Sequence, residues 1–483
     1  MTNESMRHSG TVVVKNVIYA VFIALMVLLS LIISYPEVSI LVVVVLVIAI
    51  VVCFIYWKRT LITFTDDELM LERDTIFKMK KIIPYSKIAS INADRDVLDR
   101  IFGTMKLKIN INSSRNALVP EAILTLDVPT AERIRTEISN KIFNEEYTKE
   151  EYDTAEPPVE FSLGDVTLHG LFGLSSWQTL ASIVLLAYSL FNAFWGHDLT
   201  GTAVALIMLA MLILVPFMMI FIRYYNFKIS RVGDTIHLQH GAIQNYRSSF
   251  EITRVNAIRV RKPLIPRLMH RSYIEVEVVG LGDANNNMRP IISLLAKDEK
   301  VMKVMENIVP EFIYAREPEK QPEPARWPMF VNTILALAVT LPILVFGLMK
   351  ISEYVPVDMN AVPDVLVGTK LYLIIALAAV IAALAVYSVF LSMKIVEFDR
   401  GEDKFTFVNG IIDREMVVMN YDKVQIVNIG YGLIAKRFGL ARCRISMLTA
   451  SGAKRTVSGY FRESELTEIA DKMLERVRAK LSF

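Results

Sequence analysis

Six apolar runs, each near the length that crosses about 30 Å of hydrocarbon as a helix, divide this chain of 483 residues. They occupy 17–34, 38–56, 174–195, 203–222, 329–348 and 371–391, as three close pairs, each followed by a polar segment. The first run is long, lacks a small-x-small cleavage pattern and leads straight into the second, so it reads as an anchor and not a secretory leader. The turns inside the pairs are neutral to acidic: YPEV, GHDLTG, and a 350–370 loop containing Glu353, Asp358 and Asp364. The opposite ends carry Arg7, Lys15, Lys58, Arg59, Arg223, Arg326 and Lys394. The positive-inside bias therefore places both termini and all three polar segments in the cytoplasm.

Composition agrees with a membrane protein that keeps large polar portions. Hydrophobic residues make up 53% and charged residues 21%, with a mean hydropathy of +0.41. The length suggests about two to four domains. A net charge of +3 gives no global pull toward nucleic acid. Cys53 and Cys443 support neither a disulfide framework nor a metal site.

The polar segments, 58–173, 223–328 and 393–483, repeat one pattern. Lys87, Arg254 and Lys423 align, at steps of 167 and 169 residues. Thirteen residues downstream of each lies another base, Arg100, Arg267 or Lys436, and two further on a large apolar residue, Phe102, Met269 or Phe438. Ile88, Val255 and Val424 keep step, as do Ile91, Ile258 and Val427. The chain is thus a triplicated unit of apolar hairpin plus polar domain.

Within each domain, alternation of period two predicts strands, as in TLITFT (60–65), MKLKINI (105–111), YIEVEVV (273–279) and KFTFVNG (404–410). VGDT (232–235), GLGDANNN (280–287) and ASGAK (450–454) read as turns. An amphipathic helix closes each domain. Its apolar face is Ala131, Ile134, Ile138 and Ile142 in the first, and Val301, Val304, Met305 and Ile308 in the second, where Asp298 is the expected cap. In the third it is Leu466, Ile469, Ala470, Met473, Leu474 and Val477, with Ser464 as the expected cap. Several antiparallel strands and one C-terminal helix in about 90 residues predict a small barrel plugged by its helix.

PYSKI (84–88), NYDKV (420–424), RIFG and KRFG, together with the hairpins, resemble bacterial pleckstrin-homology-like membrane proteins of the YdbS/YdbT type. The three-unit length is similar to the long, YdbT-like members. Unit two departs from the pattern, with EITRV for the Tyr-x-Lys element and PRLMH where Phe-Gly is expected. The resemblance implies a pleckstrin-homology-like (PH-like) fold, a plasma-membrane location, and a role in envelope maintenance or resistance to membrane-active peptides. The expected fold class is a multi-pass α-helical membrane protein, six spans as three hairpins, with three cytoplasmic β-rich PH-like domains. Hairpins are expected at 1–57, 174–222 and 329–392, and domains at 58–148, 223–314 and 393–483. An acidic linker (149–173) and a Pro-rich one (315–328) should be extended and exposed, leaving the domains some freedom.

Little in the chain points to catalysis. His237 and His240 are the closest of six histidines, but three apart on a strand they face opposite sides and would not chelate one metal. GLGDANNN lacks the Gly-Lys-Ser/Thr ending of a phosphate loop. No G-x-S-x-G or His-Glu-x-x-His element occurs, so no catalytic, cofactor or metal residue is expected. The spans hold no Asp, Glu, Lys or Arg in their cores, which disfavours a coupled transporter.

Binding is the remaining chemistry. RVNAIRVRKPLIPRLMHR (254–271) holds Arg254, Arg259, Arg261, Lys262, Arg267 and Arg271 without one acid. Close to a cytoplasmic leaflet, each base contributes about 1 kcal/mol toward anionic lipid. The alternative is a solvated strand face. AKRFGLARCRI (435–445) adds Lys436, Arg442 and Arg444, the last two on one strand face. The recurrent positions Lys87, Arg100, Phe102, Gly103, Met269, Lys423, Phe438 and Gly439 read as a structural joint, with Phe438 packed inside. Expected partners are the bilayer and a second copy or a shorter one-domain relative, with no nucleic acid.

Overall fold

The structure, a computed structural model, describes residues 4–31, 36–75, 78–111, 120–143, 159–173, 181–183, 185–186, 189–190, 199–243, 245–278, 289–354, 370–449 and 452–481. Unit one runs β1 (Glu4–Met6), α1 (Thr11–Leu31), α2 (Pro36–Arg59), β2 (Thr60–Phe64), β3 (Glu68–Arg73) and β4 (Met79–Pro84). A 3-10 turn, Tyr85–Lys87, leads to β5 (Ile88–Arg95), α3 (Val97–Ile101), β6 (Thr104–Ile111), β7 (Ala122–Asp127) and α4 (Val128–Phe143). Unit two has α5 (Leu163–Phe172), α6 (Leu199–Tyr224), β8 (Lys228–Val232), β9 (Thr235–His240) and β10 (Asn245–Glu251). After the turn Ile252–Arg254 come β11 (Val255–Lys262), α7 (Leu264–Leu268), β12 (Arg271–Val278), β13 (Ile291–Lys297) and α8 (Asp298–Ile308). Unit three has β14 (Glu319–Lys320), α9 (Arg326–Tyr354), α10 (Lys370–Ile395), β15 (Glu397–Arg400), β16 (Lys404–Asn409) and β17 (Arg414–Asn420). The turn Tyr421–Lys423 leads to β18 (Val424–Gly430), α11 (Leu433–Arg437), β19 (Leu440–Thr449), β20 (Gly452–Val457), β21 (Phe461–Arg462) and α12 (Glu463–Leu481).

Each unit folds as two antiparallel sheets closed by one helix. In unit one the inward residues of β2, Ile62 and Phe64, alternate with half-buried ones, and Ala131, Ile134 and Ile138 of α4 cover them at helical spacing. Val301, Val304, Met305 and Ile308 of α8, and Leu466 and Ile469 of α12, do the same. The 3-10 turn after the third strand buries Tyr85, Ile252 or Tyr421 and switches the chain from the first sheet to the second. Lys87, Arg254 and Lys423 close these turns.

The sheets do not stop at the unit boundaries. Strand order is β1-β2-β3-β4, then β7-β6-β5-β10-β9-β8, then β13-β12-β11-β17-β16-β15-β14, then β18-β19-β20 with β21 on β19. The second sheet of each unit thus continues into the first sheet of the next. This opens the expected closed barrel: the strands that would meet within a unit pair between units instead.

The second linker is likewise ordered. Glu319–Lys320 pairs with β15, and Gln321, 6% exposed, donates to the Ser392 carbonyl at 3.2 Å and accepts from the Tyr460 N–H at 2.8 Å. Of the first linker, 149–158 lies outside the described residues, while Ser162 and Asp165 form a capping box on α5. The turn 280–287 and the side chain of Ile142 also lie outside them. Two expected caps shift by a residue. Helix α12 starts before Ser464, and α8 starts at Asp298, whose carboxylate instead accepts from Ser272 at 2.6 Å and Lys262 at 2.7 Å.

Among the described residues four helices are long and apolar enough to cross a membrane, over Val42–Arg59, Thr200–Tyr224, Glu323–Lys350 and Ile374–Ile395. Their side chains are almost wholly on the surface, as expected of helices solvated by lipid. The first expected run falls on α1, and most of the third, 174–195, lies outside the described residues.

Four histidines are held neutral by the fold. Burial lowers His8, His169, His237 and His240 to about 4, helped at His8 by Arg73 and at His237 by Arg135. His240 stacks on Phe227 and Tyr246 and bonds to the Arg223 carbonyl at 2.7 Å. Because these folded values lie below the unfolded value near 6.5, the unfolded chain binds more protons between the two. Stability is therefore fully present above about pH 6.5 and is lost as pH falls toward 4, each pKa unit being worth about 1.4 kcal/mol per site. Melting temperatures in detergent should hold from pH 7.5 to about 6.5 and fall from there to pH 5; a flat profile across the whole range contradicts this assignment.

Candidate interaction surface: strand joints and the basic segment

The two joints between units use one register. In the first, β5 pairs antiparallel with β10, from Ile91 opposite Ser249 to Arg95 opposite Asn245. In the second, β11 pairs with β17, from Ala257 opposite Met419 to Lys262 opposite Arg414. Counted from the buried residue that opens each 3-10 turn, these are the same positions: Ile91–Ser249 corresponds to Ile258–Val418, and Arg95–Asn245 to Lys262–Arg414.

Alternate side chains of a shared strand face opposite sheet surfaces, so the second joint exchanges core residues. Ala257 of unit two lies in the core of unit three, and Val418 of unit three lies in the core of unit two. A cavity of about 230 Å³ runs beside this joint, where Met302, Met305 and Val408 meet Lys262, Arg316 and Arg414.

The basic segment 254–271 serves these joints. Arg259, 3% exposed, donates to Glu277 at 2.6 Å, to Glu415 at 2.9 Å and to Thr456 at 2.9 Å, so one guanidinium ties β11 to β12, β17 and β20. Arg289 approaches Glu277 at 2.5 Å and Glu275 at 2.9 Å. Burial raises the Glu277 carboxyl above its ordinary value, against the pull of Arg259 and Arg289. Glu415 is lowered: burial opposes this, but Arg259 and Arg261 prevail. Arg261 lies 3.4 Å from Glu275 and from the Tyr273 hydroxyl, and Lys262 lies 2.7 Å from Asp298. Arg254 donates to the Ile88 carbonyl across the first joint at 2.5 Å, and Arg271 faces Asp165 at 3.6 Å. The expectation of a lipid-facing run is corrected at Arg259, which is buried, because its acids come from β12 and β17, far away in sequence.

The repeated base thirteen residues after the turn is a clamp on the joint. Arg100 donates to Asn245 at 2.9 Å and Arg267 to the Ile411 carbonyl at 3.1 Å, the one reaching β10 and the other the β16–β17 turn of the following unit. Lys436, in the last unit, rests on the Tyr431 ring at 5.2 Å. On β19 Arg442 and Arg444 are exposed on one face with Cys443 buried between them; Arg442 lies over the Tyr460 ring.

The apolar residue after the base is not packed inside. Phe102, Met269 and Phe438 cap their one-turn helices and are 36%, 48% and 41% exposed, beside Ile101, Leu268 and Leu433. The next residue is left-handed in every unit: Gly103 at φ 65, His270 at φ 51 and Gly439 at φ 64. This conformation is what the sequence repeat marks, and His270 bears strain that glycine avoids. His270→Gly should stabilise the fold by about 0.5–1 kcal/mol and Gly439→Ala should cost about 1 kcal/mol. Melting curves check both; a destabilised His270→Gly or a stabilised Gly439→Ala would contradict the shared geometry.

Two of these short helices abut long apolar helices. Buried Lys15 of α1 pairs with Asp99 of α3, and Ala435 of α11 clusters with Met329 of α9. Asp96, which caps α3, is lowered to about 2: burial opposes this, but hydrogen bonds from Lys106 and the Asp99 N–H prevail. Among the described residues no three His, Cys, Asp or Glu side chains gather as metal ligands. His237 bonds to Ser249 on β10 and His240 to the Arg223 carbonyl on α6, so their partners come from different elements.

The family model described as Bacterial PH domain matches the chain three times, over residues 13–142, 178–306 and 334–477. Each match starts in or near an apolar run and continues through the following domain. The chain is also similar to UPF0699 transmembrane protein YdbT of Bacillus subtilis (strain 168), 22% identical over 323 residues, which cover 60% of this chain and 65% of the relative. No solved structure matches it. With three family matches carried on membrane-type helices, the chain belongs to the bacterial PH domain family as a three-unit, YdbT-like membrane protein.

Proposed function

We propose that this protein is a non-enzymatic scaffold of the bacterial cell membrane. It is anchored by six spans as three hairpins, with both termini and the three PH-like domains cytoplasmic. The basic residues at the domain ends of the spans support that orientation. The observation that carries the scaffold reading is the pair of identically registered joints, which make three domains one continuous strand-paired body. Such a body presents a fixed spacing of surfaces along the membrane and assembles with like domains, its own or those of a shorter relative.

A double variant tests the joint directly. Asn92 and Ser248 stand opposite one another across the first joint. Asn92→Cys with Ser248→Cys in the full chain should form an internal disulfide under mild oxidation, seen as a faster band on a non-reducing gel. No shift, with both thiols still free to label, would remove the scaffold reading. The cellular role we propose is envelope maintenance or resistance to membrane-active peptides; unchanged sensitivity of a deletion strain counts against it.

A second reading is favoured by the one-turn helices: contact of their tips with anionic headgroups. Exposed Leu433 and Phe438 lie beside Lys436 and Arg437, next to α9. Apolar tips flanked by bases suit the headgroup boundary. Leu433→Trp in nanodiscs should be quenched by brominated lipid; water-like emission without quenching would dismiss the contact.

A further inference from the structure

The joint that links unit one to two, and two to three, leaves one half of itself unused at each end of the array. Among the described residues no strand pairs with the outer edge of β4, the unit-one counterpart of β10 and β17. None pairs with the outer edge of β18, the unit-three counterpart of β5 and β11. Resting on the scaffold reading, we infer that these two edges pair between copies of this chain, head to tail, in the register of the internal joints.

The register is fixed by the repeat. Carried over position by position, Val427 faces Ile82, Ile426 faces Ile83 and Gly430 faces Met79. Both stretches lie wholly within β18 and β4. Pro84, which has no N–H to donate, falls one position beyond the paired stretch of the second internal joint and two beyond that of the first, so it does not obstruct.

Exposure tells the same story. At the internal joint β11 is buried or half-buried throughout, with 257–260 all buried, whereas β18 alternates between half-buried and exposed. Ile82 is 48% exposed and Met79 36% at one end, Ile426 52% and Tyr431 47% at the other. Unpaired strands with apolar side chains are templates for strand addition.

The lysines of β4 do not speak against this, although edge lysines often block pairing. Lys80 occupies the place of Arg247 and Lys78 that of Arg414, and both arginines sit on edges that are paired. The clamp is also present at the far end. Lys436 corresponds to Arg100 and Arg267, which reach into the next unit, and unit one offers exposed Asp74, 3.1 Å from Lys78, at the matching end of its first sheet. Because the two edges differ, the contact is heterologous: it closes into a ring or extends as a row along the membrane, according to the rotation per copy.

The test is disulfide trapping in native membranes with the full chain carrying Cys53→Ser, so that only buried Cys443 remains of the native thiols. Ile82→Cys with Val427→Cys in one chain should give a ladder of dimers, trimers and higher species on oxidation. Mixing chains that carry one cysteine each should stop at dimers. A ladder or dimer from either single variant alone would mean like edges meet, and would overturn the inference. So would the absence of cross-links from the double variant. If the Asn92→Cys/Ser248→Cys variant still forms its internal disulfide in that case, the scaffold reading stands and only the head-to-tail contact falls; if it does not, both fall. Independently, Ile426→Lys, which sets a charge opposite buried Ile83 in this register, should reduce the scattering mass in detergent to that of a single chain. An unchanged multiple of that mass would contradict the pairing.

Discussion

Replacing Arg259 by alanine should destabilise the second joint by about 3–5 kcal/mol, lowering the melting temperature by about 12 °C or more for domains of about 90 residues. The reason is the company that the guanidinium keeps. Glu277 is wholly buried, and without Arg259 it retains only Arg289 among the described bases that reach it, while Glu415 keeps more distant partners, Arg261 at 3.5 Å and Arg289 at 4.0 Å. An ion removed from water needs its counter-ion; deleting one partner leaves the other buried and uncompensated. Arg259→Met combined with Glu277→Gln should therefore recover much of the loss, because the stranded charge is gone. If Arg259→Ala melts within a degree or two of the parent, the guanidinium does not bind units two and three as described.

Ala257→Asp should separate the same two units by another route, at a cost of about 3 kcal/mol or more. Ala257 belongs to β11 but is fully buried in the unit-three core. A carboxylate there is set among apolar side chains, and the base on the same strand face, Arg259, is already held by Glu277 and Glu415, so it either stays charged at high cost or takes up a proton and opposes folding near neutral pH. The informative comparison is with Ile426, which holds the same place in β18 and is 52% exposed. Ile426→Asp should change the stability of a single chain by no more than about 0.5 kcal/mol. Limited proteolysis should release unit three from Ala257→Asp and leave Ile426→Asp intact. Similar digestion of both variants would mean that the joint is not part of the core.

Much of this architecture was legible in the sequence because it depends on local periods. The apolar runs, the 167- and 169-residue steps, the alternation of 404–410 and the apolar faces of the closing helices all report on short stretches. The joints do not. Which strand edge meets which is decided between residues as distant as Arg259 and Glu415, and no period encodes it. The run 254–271 reads as a lipid patch when only neighbours in sequence are counted, since its acids lie on other strands. A signal was present in small Ala257 amid a strand where both faces are buried, a pattern of a strand with neighbours on either side. Phe438 misleads for a related reason: aromatic residues suggest a core, but a residue capping a one-turn helix points away from it. The recurrent glycine is clearer in hindsight, because His270 shows that the conformation persists where the residue does not.

The continuous array is most directly tested by amide hydrogen exchange on the full-length protein in nanodiscs. Strand pairing protects the amides of both partners in proportion to the cost of opening them. The account predicts that β5 with β10, and β11 with β17, exchange as slowly as the central strands β6, β9, β12 and β16. Ala257→Asp should release β11 and β17 together while β5 and β10 stay protected. Exchange of β10 and β17 at the rate of surface loops, with their own domains still folded, would show three separate domains and contradict the array.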